Sequence, residues 1–189
     1  MTKSALRKIY KEKRKQISFN EQEKWLDMIL INFQQLQLPF INCVHTYLAI
    51  KDQNEIDTDK IIRYLKFINP ALITVVPKIN LDKVEMRHYI FNETVSLAPN
   101  LFGIVEPVNA ENIDANEIDM VITPLLAFDK HGYRVGYGKG FYDKFFLTCR
   151  NDVIKIGLSF FEPEDIIEDI NPFDIPLNYC ITPHTIYNF

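Results

Sequence analysis

The chain has 189 residues, of which 47% are hydrophobic and 13% aromatic, and its formal net charge is −4. This composition predicts a folded domain with a substantial core and excludes an intrinsically disordered chain. No apolar run approaches the roughly 20 residues needed to cross a bilayer, and the first residues lack the apolar centre of a secretion signal. Three cysteines without a C-x-x-C pair predict reduced thiols in the core. We therefore expect one domain, residues 1–189, in the cytoplasm.

The N-terminal segment is basic although the rest of the chain is acidic. Residues 1–15 hold seven of the 21 cations and one of the 25 acids. Their spacing predicts a helix over 2–16 with Leu6, Ile9 and Tyr10 on its apolar side. Side chains four residues apart share one face of a helix, and this rule aligns three cations: Lys3, Arg7 and Lys11. A basic helix on an acidic body suggests that the helix meets an anionic ligand.

Strands and helices alternate through the rest of the sequence. A second helix is predicted from "SFNEQEK" through about Gln37, with Trp25, Met28, Ile29 and Phe33 inward. We predict strands over 42–50, 71–77, 84–91, 118–128 and 152–160, a short strand near 179–181, and helices over 55–67 and near 138–150. This alternation predicts a single α/β domain, a three-layer, open, mostly parallel Rossmann-like sheet with helices on both faces.

Glycines are concentrated in one short stretch, "DKHGYRVGYGKGFYD". Four of the six glycines in the chain lie there: Gly132, Gly136, Gly138 and Gly140. The stretch follows a buried strand and precedes a helix, which is where open α/β sheets bind ligands. Glycine lets backbone amides approach a phosphate, and Arg134 and Lys139 add positive charge. Asp143 offers a ligand for a divalent ion. The pattern is neither a P-loop nor a dinucleotide fingerprint, so it predicts phosphate binding without naming a reaction.

At the level of whole motifs, "TPLLAFDKHGYRVGYGKGFYDKFF" resembles the signature of the 5-formyltetrahydrofolate cyclo-ligase (5,10-methenyltetrahydrofolate synthetase) family. The family block D-x-x-G-x-R-[LIV]-G-x-G-x-G-[FY]-Y-D is matched in register from Asp129 to Asp143. Other segments resemble family landmarks in the same order: "KSALRK", "YLAIKDQNEIDT", "VPKI", "VEMRHY", "FGIVEP" and "NPFDIPLN". The chain departs from the pattern at Tyr137, where many members have Gly, Phe or Arg, and at Phe173, where His is common.

The resemblance implies an enzyme that cyclises 5-formyltetrahydrofolate to 5,10-methenyltetrahydrofolate with release of ADP and phosphate, through a phosphorylated formyl intermediate. It implies Mg²⁺ held by Asp143 and Asp174, and catalytic roles for Arg134 and Lys139. It implies ATP contacts from Lys3, Arg7, Arg134, Val135, Gly136, Tyr137, Gly138, Lys139, Gly140, Phe141 and Tyr142. It implies folate contacts from Ile50, Glu55, Met86, Phe102, Tyr137, Gly138, Lys139 and Gly140. We expect a monomer that uses these two small molecules and binds neither nucleic acid nor membrane.

Without the family resemblance, the residue patterns are compatible with two other functions. A phosphosugar-binding isomerase or transferase could use a similar sheet, but it would need neither ATP nor the basic helix. A nucleic-acid-binding module could use that helix, and its binding to oligonucleotides would depend steeply on salt.

Overall fold

Seven strands form a mixed, mostly parallel sheet in the computed structural model, which describes residues 1–80, 85–99 and 105–189. The strands, in chain order, are β1 (Cys43–His45), β2 (Ile73–Asn80), β3 (Glu85–Ile90), β4 (Ser96–Pro99), β5 (Val105–Val108), β6 (Met120–Thr123), β7 (Ala127–Phe128), β8 (Arg134–Val135), β9 (Ile154–Leu158), β10 (Tyr179–Ile181) and β11 (Ile186–Asn188). Across the sheet the order is β11-β10-β9-β6-β1-β2-β3. The inner pairings are parallel, and β3 and β11 close the two edges as antiparallel strands.

Helices cover both faces of this sheet. They are α1 (Lys3–Lys15), α2 (Phe19–Gln34), α3 (Asp59–Ile68) and α4 (Phe141–Phe146), with short 3-10 helices at Lys51–Gln53 and Ala115–Glu117. Phe33 of α2 and Leu65 of α3 pack on one face in a cluster with Ile122 of β6. Phe145 of α4 packs on the other face in a cluster with Val121 of β6. Neighbouring residues of one strand point to opposite faces, so the predicted three-layer α/β arrangement is confirmed.

The basic helix α1 docks on a small hairpin formed by β7 and β8 rather than on the main sheet. Leu6 and Tyr10 are buried in a cluster with Leu126 and Val135. The prediction that Ile9 faces inward is wrong, because 37% of that residue is exposed. Docking on the hairpin brings the basic face of α1 beside the chain that follows β8.

Several predicted elements are too long, and two of them have a local cause. The strand predicted over 118–128 is divided into β6 and β7 at Pro124, which has no backbone N–H to donate to a ladder. The helix predicted near 138–150 is only Phe141–Phe146. It starts late because Gly138 and Gly140 before it have positive φ angles. The strand predicted over 42–50 is only Cys43–His45.

The ends of two helices and the region after β3 also differ from the predictions. Helix α2 begins with a capping box between Ser18 and Glu21, and it ends at Gln34 rather than near Gln37. The helix predicted over 55–67 starts only at Asp59. The hairpin of β4 and β5 was not predicted from the sequence. No helix in the described part of the chain has both the length and the apolar character that a bilayer crossing requires.

Candidate active site

A cavity of about 570 Å³ lies where the inner parallel strands end. Its walls come from the start of α1, the segment after β1, Pro124 after β6, the stretch from β8 into α4, and the segment 169–174 before β10. A volume of this size suits a small-molecule ligand, since such pockets typically span roughly 300–1,000 Å³. The carboxyl ends of parallel strands are the usual position for a ligand site in this class of sheet.

Residues 136–140, which we call the glycine loop, form one wall of the cavity. The φ angles of Gly138 and Gly140 are +93° and +68°, in the left-handed region that side chains disfavour. A Cβ at Gly138 would also lie 3.1 Å from the guanidinium carbon of Arg7. The left-handed backbone conformation therefore favours glycine at position 138, and a side chain there would press on the guanidinium of Arg7.

Helix α1 contributes two of the cations predicted to meet phosphate. Lys3 and Arg7 line the cavity, while Leu6 on the adjoining face is fully buried. The Nε of Arg7 donates a hydrogen bond of 2.8 Å to the carbonyl of Gly136. Arg7 therefore holds the glycine loop against α1 as well as placing a positive charge in the cavity.

Two cations in the cavity are paired with the two carboxylates that were predicted to bind metal. Lys3 Nζ forms an ion pair with Asp174, and Arg134 forms one of 2.8 Å with Asp143. The side chain of Arg134 is only 6% exposed, so its burial lowers its pKa while Asp143 opposes that shift. The backbone N–H of Ile175 also donates to Asp143, at 3.1 Å. Lys139, by contrast, is exposed at the wall of the cavity.

A buried carboxylate marks another part of the cavity. Glu55 is 5% exposed, and its Oε2 accepts a hydrogen bond of 2.8 Å from the backbone N–H of Ile50. Its Oε1 accepts a hydrogen bond from the hydroxyl of Tyr137 in the glycine loop. Burial, with Glu55 nearby, raises the pKa of Tyr137, so this hydroxyl is protonated at neutral pH.

The cavity brings together most of the residues singled out in the sequence. The predicted residues that line it are Lys3, Arg7, Ile50, Glu55, Arg134, Gly136, Tyr137, Gly138, Lys139, Gly140, Phe141, Tyr142, Asp143 and Asp174. Val135 does not line the cavity, because its side chain is buried in the cluster that Leu6 and Tyr10 of α1 form with the β7–β8 hairpin. Met86 is not among the lining residues and packs against the core cluster that contains Phe145 of α4. Phe102 lies outside the described residues.

Other lining residues were not predicted. They include Tyr47, Leu48, Pro77, Ile79, Glu106, Pro124, Asp169 and Asn171. Several of them follow the end of a strand, which is a usable signal once the strand ends are known. Arg14 was counted among the N-terminal cations but given no role, although it lies seven residues after Arg7 and so on the same side of α1.

These features define an α/β protein with a ligand cavity at the carboxyl edge of its sheet, in which a glycine loop, cations and carboxylates meet. Residues 1–183 match the family model of the 5-formyltetrahydrofolate cyclo-ligase family. The chain therefore belongs to the 5-formyltetrahydrofolate cyclo-ligase family. This membership selects the ligase interpretation over the phosphosugar and nucleic-acid interpretations.

Individual relatives agree with this assignment. A 5-formyltetrahydrofolate cyclo-ligase of Mycoplasma pneumoniae is 31% identical over 186 residues, which cover 96% of this chain and 98% of the relative. The mitochondrial 5-formyltetrahydrofolate cyclo-ligase of Arabidopsis thaliana is 29% identical over 160 residues, which cover 72% of this chain and 57% of the relative.

Solved structures named 5,10-methenyltetrahydrofolate synthetase are similar over the whole fold. The one from Mycoplasma pneumoniae has a TM-score of 0.76 at 26% identity and covers 97% of this chain and 99% of its own. The one from Aquifex aeolicus also has a TM-score of 0.76 at 26% identity, and it covers 100% of this chain and 93% of its own.

The pairing of Arg134 with Asp143 generates a stability prediction. Asp143→Asn removes the charge that compensates a nearly buried guanidinium, so we expect the free energy of unfolding to fall by about 1–3 kcal/mol without ligand. Asp152→Asn is the control, because Asp152 is 70% exposed in its ion pair with Arg150 and should change stability by less than about 1 kcal/mol. Urea unfolding measures both variants, and an equal effect of the two substitutions would contradict the prediction.

Proposed function

We propose that the chain catalyses the ATP-dependent cyclisation of 5-formyltetrahydrofolate to 5,10-methenyltetrahydrofolate in the cavity described above. The observation that carries this proposal is the meeting of phosphate-directed cations, two carboxylates and the buried Glu55 around one glycine loop. A reaction between ATP and a folate needs both binding functions within reach of each other. Family membership supplies the reaction, and the geometry supports the assignment of residues.

ATP phosphates would lie against the glycine loop and α1. Lys3, Arg7, Arg134 and Lys139 all line the cavity there. The glycines of the loop place no Cβ between their backbone amides and a ligand, and a Cβ at Gly136 or Gly140 would have nothing within 4 Å. Preorganised positive charge of this kind stabilises the charge that develops on a transferring phosphoryl group. We assign the catalytic roles to Arg134 and Lys139, Arg134 because Asp143 and the carbonyl of Ile175 fix its guanidinium.

The carboxylates of the cavity fit a magnesium ion. Mg²⁺ prefers oxygen ligands and is commonly held by one or two carboxylates together with substrate phosphates. Asp143 and Asp174 line the same cavity and supply that donor set. The described residues contain no cluster of three or more His, Cys, Asp or Glu side chains that could hold a metal ion. Bound there, Mg²⁺ would neutralise phosphate charge during transfer.

The folate would lie against Ile50, Glu55 and the glycine loop. Carboxylates accept hydrogen bonds from the N–H groups of a pterin ring, and Glu55 is held in place by two donors. Ile50 and Glu55 line the same cavity as the cations assigned to the phosphates.

The chemistry requires positioning rather than a protein nucleophile. The formyl oxygen attacks the γ-phosphorus, the bond from that phosphorus to the β-bridging oxygen breaks, and ADP leaves. N10 of the folate then attacks the activated formyl carbon and loses its proton, and phosphate departs as the ring closes. Each step is favoured by holding the two substrates together and by shielding developing charge. The side chains named above would bind the two substrates, orient them and neutralise the charge on the phosphates.

We propose that the protein is a monomer and that it is located in the cytoplasm. Cys43, Cys149 and Cys180 are buried and free, which suits a reducing compartment. We propose that the ligands are the two small molecules, with no role for nucleic acid or membrane.

The direct test mixes the protein with 5-formyltetrahydrofolate, ATP and Mg²⁺ and follows the absorbance of the methenyl product. We expect product to form only when all components are present, with one ADP released per ring closed. Turnover at the full rate without ATP, or with excess EDTA, would refute the proposal.

Lys139 provides a sharper test of the phosphate side. Lys139→Met removes an exposed positive charge and leaves the backbone unchanged, so the fold should keep its melting temperature. We expect turnover at limiting ATP to fall by about 10²–10³-fold, as for other donors directed at transition-state charge. Lys144→Met is the matched control, since Lys144 is an exposed lysine of α4 that does not line the cavity. Wild-type turnover of the Lys139→Met variant would remove this residue from the mechanism.

A further inference from the structure

Three side chains from distant parts of the sequence form a buried polar chain beside the cavity. Arg14 Nη2 donates a hydrogen bond of 2.6 Å to the hydroxyl of Tyr137, and that hydroxyl donates to Oε1 of Glu55. The three residues belong to α1, to the glycine loop and to the segment after β1. The hydroxyl oxygen of Tyr137 makes a hydrogen bond to each of the other two side chains.

The guanidinium of Arg14 depends on these hydrogen bonds because few other groups compensate its positive charge. The residue is 5% exposed, and its Nη1 donates a long hydrogen bond of 3.4 Å to the carbonyl of Leu125. Its Nε has no hydrogen-bond partner among the described residues. Buried charges are stable when an opposite charge lies near, and Glu55 supplies that charge across the hydroxyl of Tyr137. Arg14 and Glu55 are thus two ends of one electrostatic unit.

Glu55 is held at both of its oxygens. Oε2 accepts from the backbone N–H of Ile50 and Oε1 accepts from Tyr137. An ionised carboxylate offers about four acceptor sites, so acceptor capacity remains for a ligand in the cavity that Glu55 lines. The ring of Tyr137 packs against the cluster that contains Leu6 and Tyr10 of α1.

We propose that Tyr137 is a positioning residue that orients Glu55 toward 5-formyltetrahydrofolate, with Arg14 as its support. This inference rests on the proposed function, because it takes Glu55 to contact the folate. It adds that the glycine loop serves the two substrates through different groups, the phosphates through backbone amides and Lys139, and the folate through the hydroxyl of Tyr137. A change at this hydroxyl should therefore affect one substrate and spare the other.

The test is Tyr137→Phe, which keeps the ring and removes the hydroxyl. Loss of a hydrogen bond to a charged group should weaken binding of 5-formyltetrahydrofolate about tenfold to hundredfold, measured by calorimetry without ATP and as KM in turnover. We expect kcat and the KM for ATP to stay within about twofold, because the loop backbone and Lys139 are unchanged.

Tyr10→Phe is the matched control. Tyr10 is a buried residue of α1, and its hydroxyl donates a hydrogen bond of 2.6 Å to Glu164. This substitution removes a tyrosine–glutamate bond of the same kind but outside the cavity, so it should lower the melting temperature similarly and leave the folate KM unchanged.

A double-mutant cycle with Glu55→Gln tests whether Tyr137 acts through Glu55. In the Glu55→Gln background, Tyr137→Phe should cost less than about threefold in folate affinity, because the carboxylate it orients is gone. Fully additive losses would overturn the proposal, as would an unchanged folate affinity or a selective rise in the KM for ATP. If the wild-type protein itself failed to bind 5-formyltetrahydrofolate, the proposed function would fail first, and this role for Tyr137 with it.

Discussion

Charge balance inside a partly buried cavity is the constraint that organises this protein. A buried charge is costly unless an opposite charge or a strong hydrogen bond meets it. The structure meets that requirement by joining the first helix to the tail through Lys3 and Asp174, and β8 to α4 through Arg134 and Asp143. In the proposed reaction, phosphates would become partners of these cations and Mg²⁺ a partner of the carboxylates. The number of balanced charges would then be preserved when MgATP enters.

The fold explains why these charges converge. Parallel strands end at one edge of the sheet, and the segments that follow them must turn there. Helix α1 would remain separate from this edge if Leu6 and Tyr10 did not pack on the β7–β8 hairpin. Once it is packed, Arg7 bonds the glycine loop and Arg14 bonds Tyr137. A single helix therefore contributes to both sides of the proposed site.

The sequence predicts the layers, the glycine loop and most of the cavity wall, because these follow from local patterns. Alternating strands and helices identify the fold, and the spacing of Lys3 and Arg7 places both on one face of α1. The lengths of elements are less predictable, since Pro124 and the positive φ of Gly138 act within apparently continuous patterns. The ion pair of Lys3 with Asp174 joins residues 171 positions apart, and no local pattern indicates such a partner. Arg14 was overlooked for the same reason, since its neighbours come from other segments.

The most direct test of charge balance is the affinity of metal-free ATP for the Asp174→Asn variant, measured by calorimetry in EDTA beside the wild-type protein. Asp174 neutralises Lys3 when no ligand is bound, so its replacement should release that cation for the phosphates. We predict that metal-free ATP binds the variant about tenfold more tightly, a difference of about 1.4 kcal/mol, and that added Mg²⁺ improves binding less than in the wild-type protein. Metal-free ATP that binds the variant no more tightly than the wild-type protein would contradict the exchange of partners on which the proposed site depends.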